Sequence, residues 1–179
     1  MANRKKLRDF RGYGNLEALN AILLPAVAAY YGWPGDRAAA GVLILALAAL
    51  VTGLVVGAVY WWALAKRIAG NAAPMHRALR LADLAQRPML LVVIAAGVAA
   101  TWQLIARGLS LSPGIAAGAA LLAALEYVNY YHVQLQHFDN AGDWRRLLGG
   151  KGFRRAHMAR DLAAWRRGGL AAGRIAGLP

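Results

Sequence analysis

The chain has 179 residues, 59% of them hydrophobic and only 16% charged, with 21 Lys and Arg against 8 Asp and Glu and a net charge of +13. A soluble domain carries about 25% charged and roughly 45–50% apolar residues, so these values exclude an ordinary soluble domain, a disordered tail and a collagen-like chain, and point to a membrane protein. Because the chain has no cysteine, disulfide stapling, thiol catalysis and thiolate metal sites are excluded too.

A membrane-crossing helix needs about 20 mostly apolar residues. Four stretches qualify: 15–33, 38–65, 88–106 and 114–133. Their Ala/Leu/Val runs do not alternate as the strands of a membrane barrel would. The predicted fold class is therefore all-α: a polytopic membrane protein, an antiparallel four-transmembrane-helix bundle with amphipathic cytoplasmic helices. Segment 1–14 is a basic N-terminus, 15–137 the transmembrane domain with a cytoplasmic loop at 66–87, and 138–179 a basic cytoplasmic tail.

Along the chain, the basic start followed by the apolar run 21–29 and Ala26-Val27-Ala28 has the outline of a cleavable signal peptide. Glu17 and Asn20 interrupt that run and favour a retained first helix, kinked at Pro25, the one proline expected inside a span. Pro34 and Pro113 mark short turns, and Pro74 and Pro88 flank the central loop. Gly53 and Gly57 in the second span, like Gly114 and Gly118 in the fourth, have GxxxG spacing, which lets helix backbones approach closely. In an Ala/Gly-rich chain such pairs arise readily by chance, and packing within the chain is the simpler expectation.

The central loop reads as a short amphipathic helix over 74–85 lying on the inner membrane surface. Met75, Leu79 and Ala82 fall on one face, and His76, Arg77, Arg80 and Asp83 on another. The tail breaks at Gly149-Gly150-Lys151-Gly152. A short helix over 143–148, capped by Asp143 or Asn140, precedes the break. An amphipathic helix over 153–167 follows it, with Met158, Leu162 and Trp165 aligned. Arg77, Arg80, Arg145, Arg146, Arg154 and Arg155 are the expected contacts to anionic lipid head groups, each contributing on the order of 1 kcal/mol. A docking surface for an acidic partner is the alternative. No nucleic-acid recognition motif accompanies the charge.

Charge placement sets the expected orientation. Nineteen of the 21 basic residues lie in the N-terminal segment, the central loop and the tail, and only Arg37 and Arg107 lie in the other two connections. The positive-inside rule then puts both termini in the cytoplasm of a bacterial inner-membrane protein. Aromatic belts are expected at Tyr30, Tyr31, Trp33 and Trp102 on the outer side, and at Tyr60, Trp61, Trp62, Tyr127, Tyr130 and Tyr131 on the inner side.

Ionisable side chains within spans are functional candidates by default. Two acids qualify, Glu17 and Glu126. With Asn20, Asn129, Tyr130 and His132 they form a candidate polar cluster in the inner leaflet. The competing reading is interhelical hydrogen-bond glue. His132 and His137 are five residues apart and do not share a helix face, no HExxH occurs, and no metal or cofactor is expected. The two serines, Ser110 and Ser112, lie in a predicted outer turn, and no nucleophile elbow, phosphate loop or dinucleotide fingerprint is present.

The stretch from Glu126 to Leu135 (Glu-Tyr-Val-Asn-Tyr-Tyr-His-Val-Gln-Leu), with the tail from Phe153 to Leu162, resembles a stretch of small bacterial four-span integral membrane proteins. The resemblance implies location and span count, and no activity. Small multidrug transporters also have four spans and a first-helix glutamate. The residues around Glu17 do not match their pattern, and their function is not carried over. The expected role is non-enzymatic: an accessory, scaffold or assembly component, partnered by anionic lipids and by another membrane protein or a second copy. A small-solute or proton-coupled transporter using Glu17 and Glu126 is the second reading. A lipid- or quinone-modifying enzyme is the third.

Overall fold

The computed structural model describes residues 2–135, 149–150 and 152–168. Among these the chain forms five helices: α1 (Ala2–Gly32), α2 (Arg37–Ile68), α3 (Ala73–Arg107), α4 (Leu111–Tyr131) and α5 (His157–Arg166). His137, Arg145, Arg146 and the helix predicted over 143–148 lie outside the described residues.

Local chemistry explains three of the helix boundaries. Asp36 caps α2, its Oδ1 accepting from the Ala39 N–H at 2.9 Å. Pro74 sits in the first turn of α3, where a missing N–H is harmless. Gly108 follows α3 with φ +76°, a left-handed conformation that glycine adopts without a Cβ penalty.

Three helices are long and apolar enough to cross a membrane: α2, α3 and α4. α1 is nearly as long as α2, but Asn15, Glu17 and Asn20 dilute its apolar stretch. α2 is the hub, packing against α1, α3 and α4, while α4 also touches α1 and α3. Accordingly 56% of α2's apolar window is buried, against 28% for α3 and 33% for α4. The remaining outer faces carry large exposed apolar side chains, among them Ile22, Leu91, Val98 and Ile105.

Several expectations change. The central loop shrinks to the turn between Ile68 and Ala73, because the predicted amphipathic helix is the first part of α3 itself. Pro88 therefore lies inside α3, as Pro25 does inside α1. Pro113 belongs to the first turn of α4, not to the turn before it. At 35 residues α3 is about 52 Å long, well beyond a hydrocarbon core of about 30 Å. Its first turns continue the bundle as a stub before its apolar stretch. Met75, Ala78, Leu79 and Ala82 are buried there with Tyr60, Leu64, Met158 and Leu162 in one core. The apolar faces predicted to meet lipid, those of 74–85 and of the tail helix, thus meet each other and the bundle.

The aromatic expectation divides in the same way. Tyr30, Tyr31, Trp33 and Trp102 are exposed. Tyr60, Trp61, Tyr127, Tyr130 and Tyr131 are buried, and Trp62 is partly covered by α1, its Nε1 donating to Asn15 Oδ1 at 3.0 Å.

Candidate functional site

The site grows from the glycine pair in α2. Gly53 and Gly57 lie one turn apart and face α4, whose Glu126 and Tyr130 are also one turn apart. A Cβ on Gly53 would stand 3.2 Å from the Glu126 Cβ and 2.8 Å from the Met89 Cε, and a Cβ on Gly57 would fall on the Tyr130 phenol ring. The pair is thus the notch that admits α3 and α4 to α2. Gly118 has open space around its Cβ position, and Gly114 has only Leu109 at 3.8 Å.

Through this notch Tyr130 reaches α1. Its hydroxyl donates to Glu17 Oε1 at 2.6 Å, and both residues are buried, at 2% and 5% exposure. In an apolar surrounding such a bond is strong, and leaving either group without it is costly. Glu126 stands one turn earlier on α4, close enough to Glu17 for their charges to interact. Glu126 Oε2 is buried without a hydrogen-bond partner among the described residues.

The structure brings together Glu17, Glu126 and Tyr130, with Asn129 hydrogen-bonded to Glu126. Asn20 is half-buried one turn beyond Glu17. Asn129 is buried, and its Oδ1 also accepts from the Leu135 N–H at 2.8 Å, fastening the chain that leaves α4. His132 is exposed at the end of α4, its ring 5.5 Å from that of Tyr127, and its carbonyl accepts from the Ala156 N–H. His132 therefore serves the helix end, while Asn129 serves both that end and the cluster, its side chain also hydrogen-bonding Glu126. Arg77 and Arg80 are exposed on α3, and Arg154 and Arg155 are exposed on the extended segment before α5. Arg155 also pairs its backbone with Val133.

A second polar junction went unnoticed in the sequence. Tyr60, 1% exposed, donates to Asp161 Oδ2 at 2.9 Å, and Arg67 stands 3.4 Å from the same oxygen. Arg166 donates to Asp83 Oδ1 at 2.7 Å and to Gln86 Oε1 at 2.6 Å. These contacts seat α5 on α2 and α3. The available signal was Asp161, the one acid in a basic helix. Gln103, in the opposite half of α3, is buried with both amide atoms lacking partners among the described residues. It stands as a lone amide in an apolar run.

Cavities on the flanks of the bundle include two lined by described residues. A groove of about 410 Å³ between α1, α2 and α4 is lined by apolar side chains such as Leu24, Leu50 and Ile115. The other, of about 560 Å³, lies at Asp83, Gln86, Arg87, Tyr127 and Arg166. Neither is lined by Glu17, Asn20, Glu126, Asn129, Tyr130 or His132. Among the described residues no three His, Asp or Glu side chains converge to hold a metal. Chemically, the carboxyl–phenol–carboxyl unit is suited to tying α1 to α4 across the glycine notch of α2, or to holding a proton. No family model, curated protein or solved structure matches this chain.

Proposed function

We propose that the chain is a four-span protein of the bacterial inner membrane, with both termini cytoplasmic, acting as an accessory, scaffold or assembly component. The fourth span in this reading is α1, whose length and exposed Ile22, Leu23 and Val27 support it beside the three more apolar helices. The orientation is supported by the 19 basic residues gathered at one end of the chain's topology.

One observation carries the non-enzymatic reading. Among the described residues the candidate polar side chains are spent on helix-to-helix and capping bonds, Tyr130 to Glu17 and Leu135 to Asn129, outside the two cavities described above. Affinity purification from native membranes in mild detergent, with proteins and lipids identified, tests it. A stoichiometric membrane-protein partner retained by Glu126→Gln supports the scaffold. Purification of the chain alone, with solute flux in proteoliposomes, refutes it.

The buried and unpartnered Glu126 Oε2 beside Glu17 favours a second reading, a proton-coupled carrier of a small solute. It requires pH-dependent uptake in proteoliposomes that Glu17→Gln and Glu126→Gln each abolish while the protein stays folded.

A further inference from the structure

We propose a binding site for one anionic phospholipid where α3, α4 and α5 meet, with the head group between Arg87 and Arg166 and an acyl chain running down α3. The proposal rests on the reading of the bundle as membrane-embedded, and on none of the Glu17–Glu126 chemistry.

The cavity of about 560 Å³ at this junction joins polar groups from two helices, Asp83, Gln86 and Arg87 of α3 and Arg166 of α5, to the apolar side chains of Leu84 and Tyr127. Arg166 is fixed there by Asp83 and Gln86, which engage only part of its five-donor fork. Asp83 offsets the charge of Arg166, so Arg87 leaves the lining one positive charge in excess. That excess complements a single phosphodiester, and the planar guanidinium is the side chain best matched to phosphate oxygens.

Position in the bilayer selects a lipid over a soluble phosphate. Pro88, also in the lining, opens the apolar half of α3, so Arg87 stands at the boundary between polar and apolar helix. Leu84, Arg87, Leu91, Ile94 and Val98 follow one another at alternating three- and four-residue spacing and so share one face. Leu91, Ile94 and Val98 are 68%, 53% and 66% exposed. From Arg87 to Val98 this stripe covers roughly 16 Å of helix, about half of a 30 Å hydrocarbon core and so one leaflet. A cationic cavity at the boundary, continued by an apolar track one leaflet long, has the shape and charge of an anionic phospholipid.

The experiment uses the full chain. Carbonate extraction first checks that it is integral to the membrane; release by carbonate would overturn the membrane reading itself. The detergent-purified protein is then exposed to equal phosphatidylglycerol and phosphatidylcholine, and bound lipid is counted by native mass spectrometry. Wild type retains one phosphatidylglycerol in preference. Arg87→Gln weakens that retention roughly fivefold, and Arg87→Gln with Arg166→Gln about thirtyfold. Arg37→Gln, exposed at the start of α2 and outside the cavity, leaves it unchanged. If the double variant fails to fold, Arg87→Gln alone decides, since that side chain is exposed. No preference in wild type, or equal retention by Arg87→Gln, overturns the site. Equal competition by free glycerol phosphate overturns the lipid assignment, as does an acidic protein segment that displaces the lipid and depends on Arg87.

Discussion

Replacing Gly57 with alanine places a methyl group where the Tyr130 phenol lies. The ring is 2% exposed and its hydroxyl is held 2.6 Å from Glu17, so it has little room to move without releasing that bond. Overpacking a filled core costs about 1–3 kcal/mol, and losing a buried hydrogen bond of this kind costs about 1–3 kcal/mol. Alanine returns about 1 kcal/mol of helix propensity. The expected net loss is about 1–5 kcal/mol. Reversible denaturation in mixed micelles, followed by tryptophan fluorescence, measures it. Gly118→Ala is the internal control, because its added methyl meets open space; it should be neutral or slightly stabilising. Tyr130→Phe removes the hydroxyl that the new methyl would meet, so the double variant Gly57→Ala/Tyr130→Phe should lose less than the two single changes together. Wild-type stability in Gly57→Ala, or an equal loss in Gly118→Ala, would refute the notch.

Three further outcomes follow from other contacts. Tyr130→Phe alone strips Glu17 of its phenol donor and should lower stability by about 1–3 kcal/mol in the same denaturation assay. Asp161→Ala removes the acceptor of Tyr60 and the partner of Arg67, so α5 should loosen and trypsin should cut at Arg154 and Arg155 several times faster, read by gel. The Asp36 carboxyl is held below the usual carboxylate range, first by its hydrogen bond from Arg107 and then by the Ala39 N–H. Because its folded value is depressed, its contribution is complete above the ordinary carboxylate range and is lost as pH falls through the depressed value. Wild type should therefore lose more melting temperature between pH 7 and pH 3 than Asp36→Asn, a variant that keeps a capping side chain and removes the charge.

The helical class and the positions of three apolar helices were legible in the sequence because membrane solvation acts on each segment separately. Twenty apolar residues in a row carry their meaning without reference to any neighbour. The two acids were legible for the same reason, since a carboxyl in an apolar run stands out alone. Their partnership was only partly readable. Tyr130 shares a helix face with Glu126 at four-residue spacing, but that its hydroxyl crosses a glycine notch to reach Glu17 depends on the approach of α4 to α2.

Where apolar faces end up was not readable, because an amphipathic stripe states that it will be covered and not by what. Met75, Leu79, Met158 and Leu162 satisfy a lipid surface and a protein core equally well as a pattern. The stub formed by the overlong α2 and α3 supplied the protein core, and Asp161 with Tyr60 and Arg67 locked α5 to it. The composition by itself determined a basic, membrane-directed helical chain, because hydropathy and net charge add up residue by residue. Only the tertiary structure decided which glycines are notches, which tyrosines are core, and which arginines line a cavity, because those properties belong to pairs of helices.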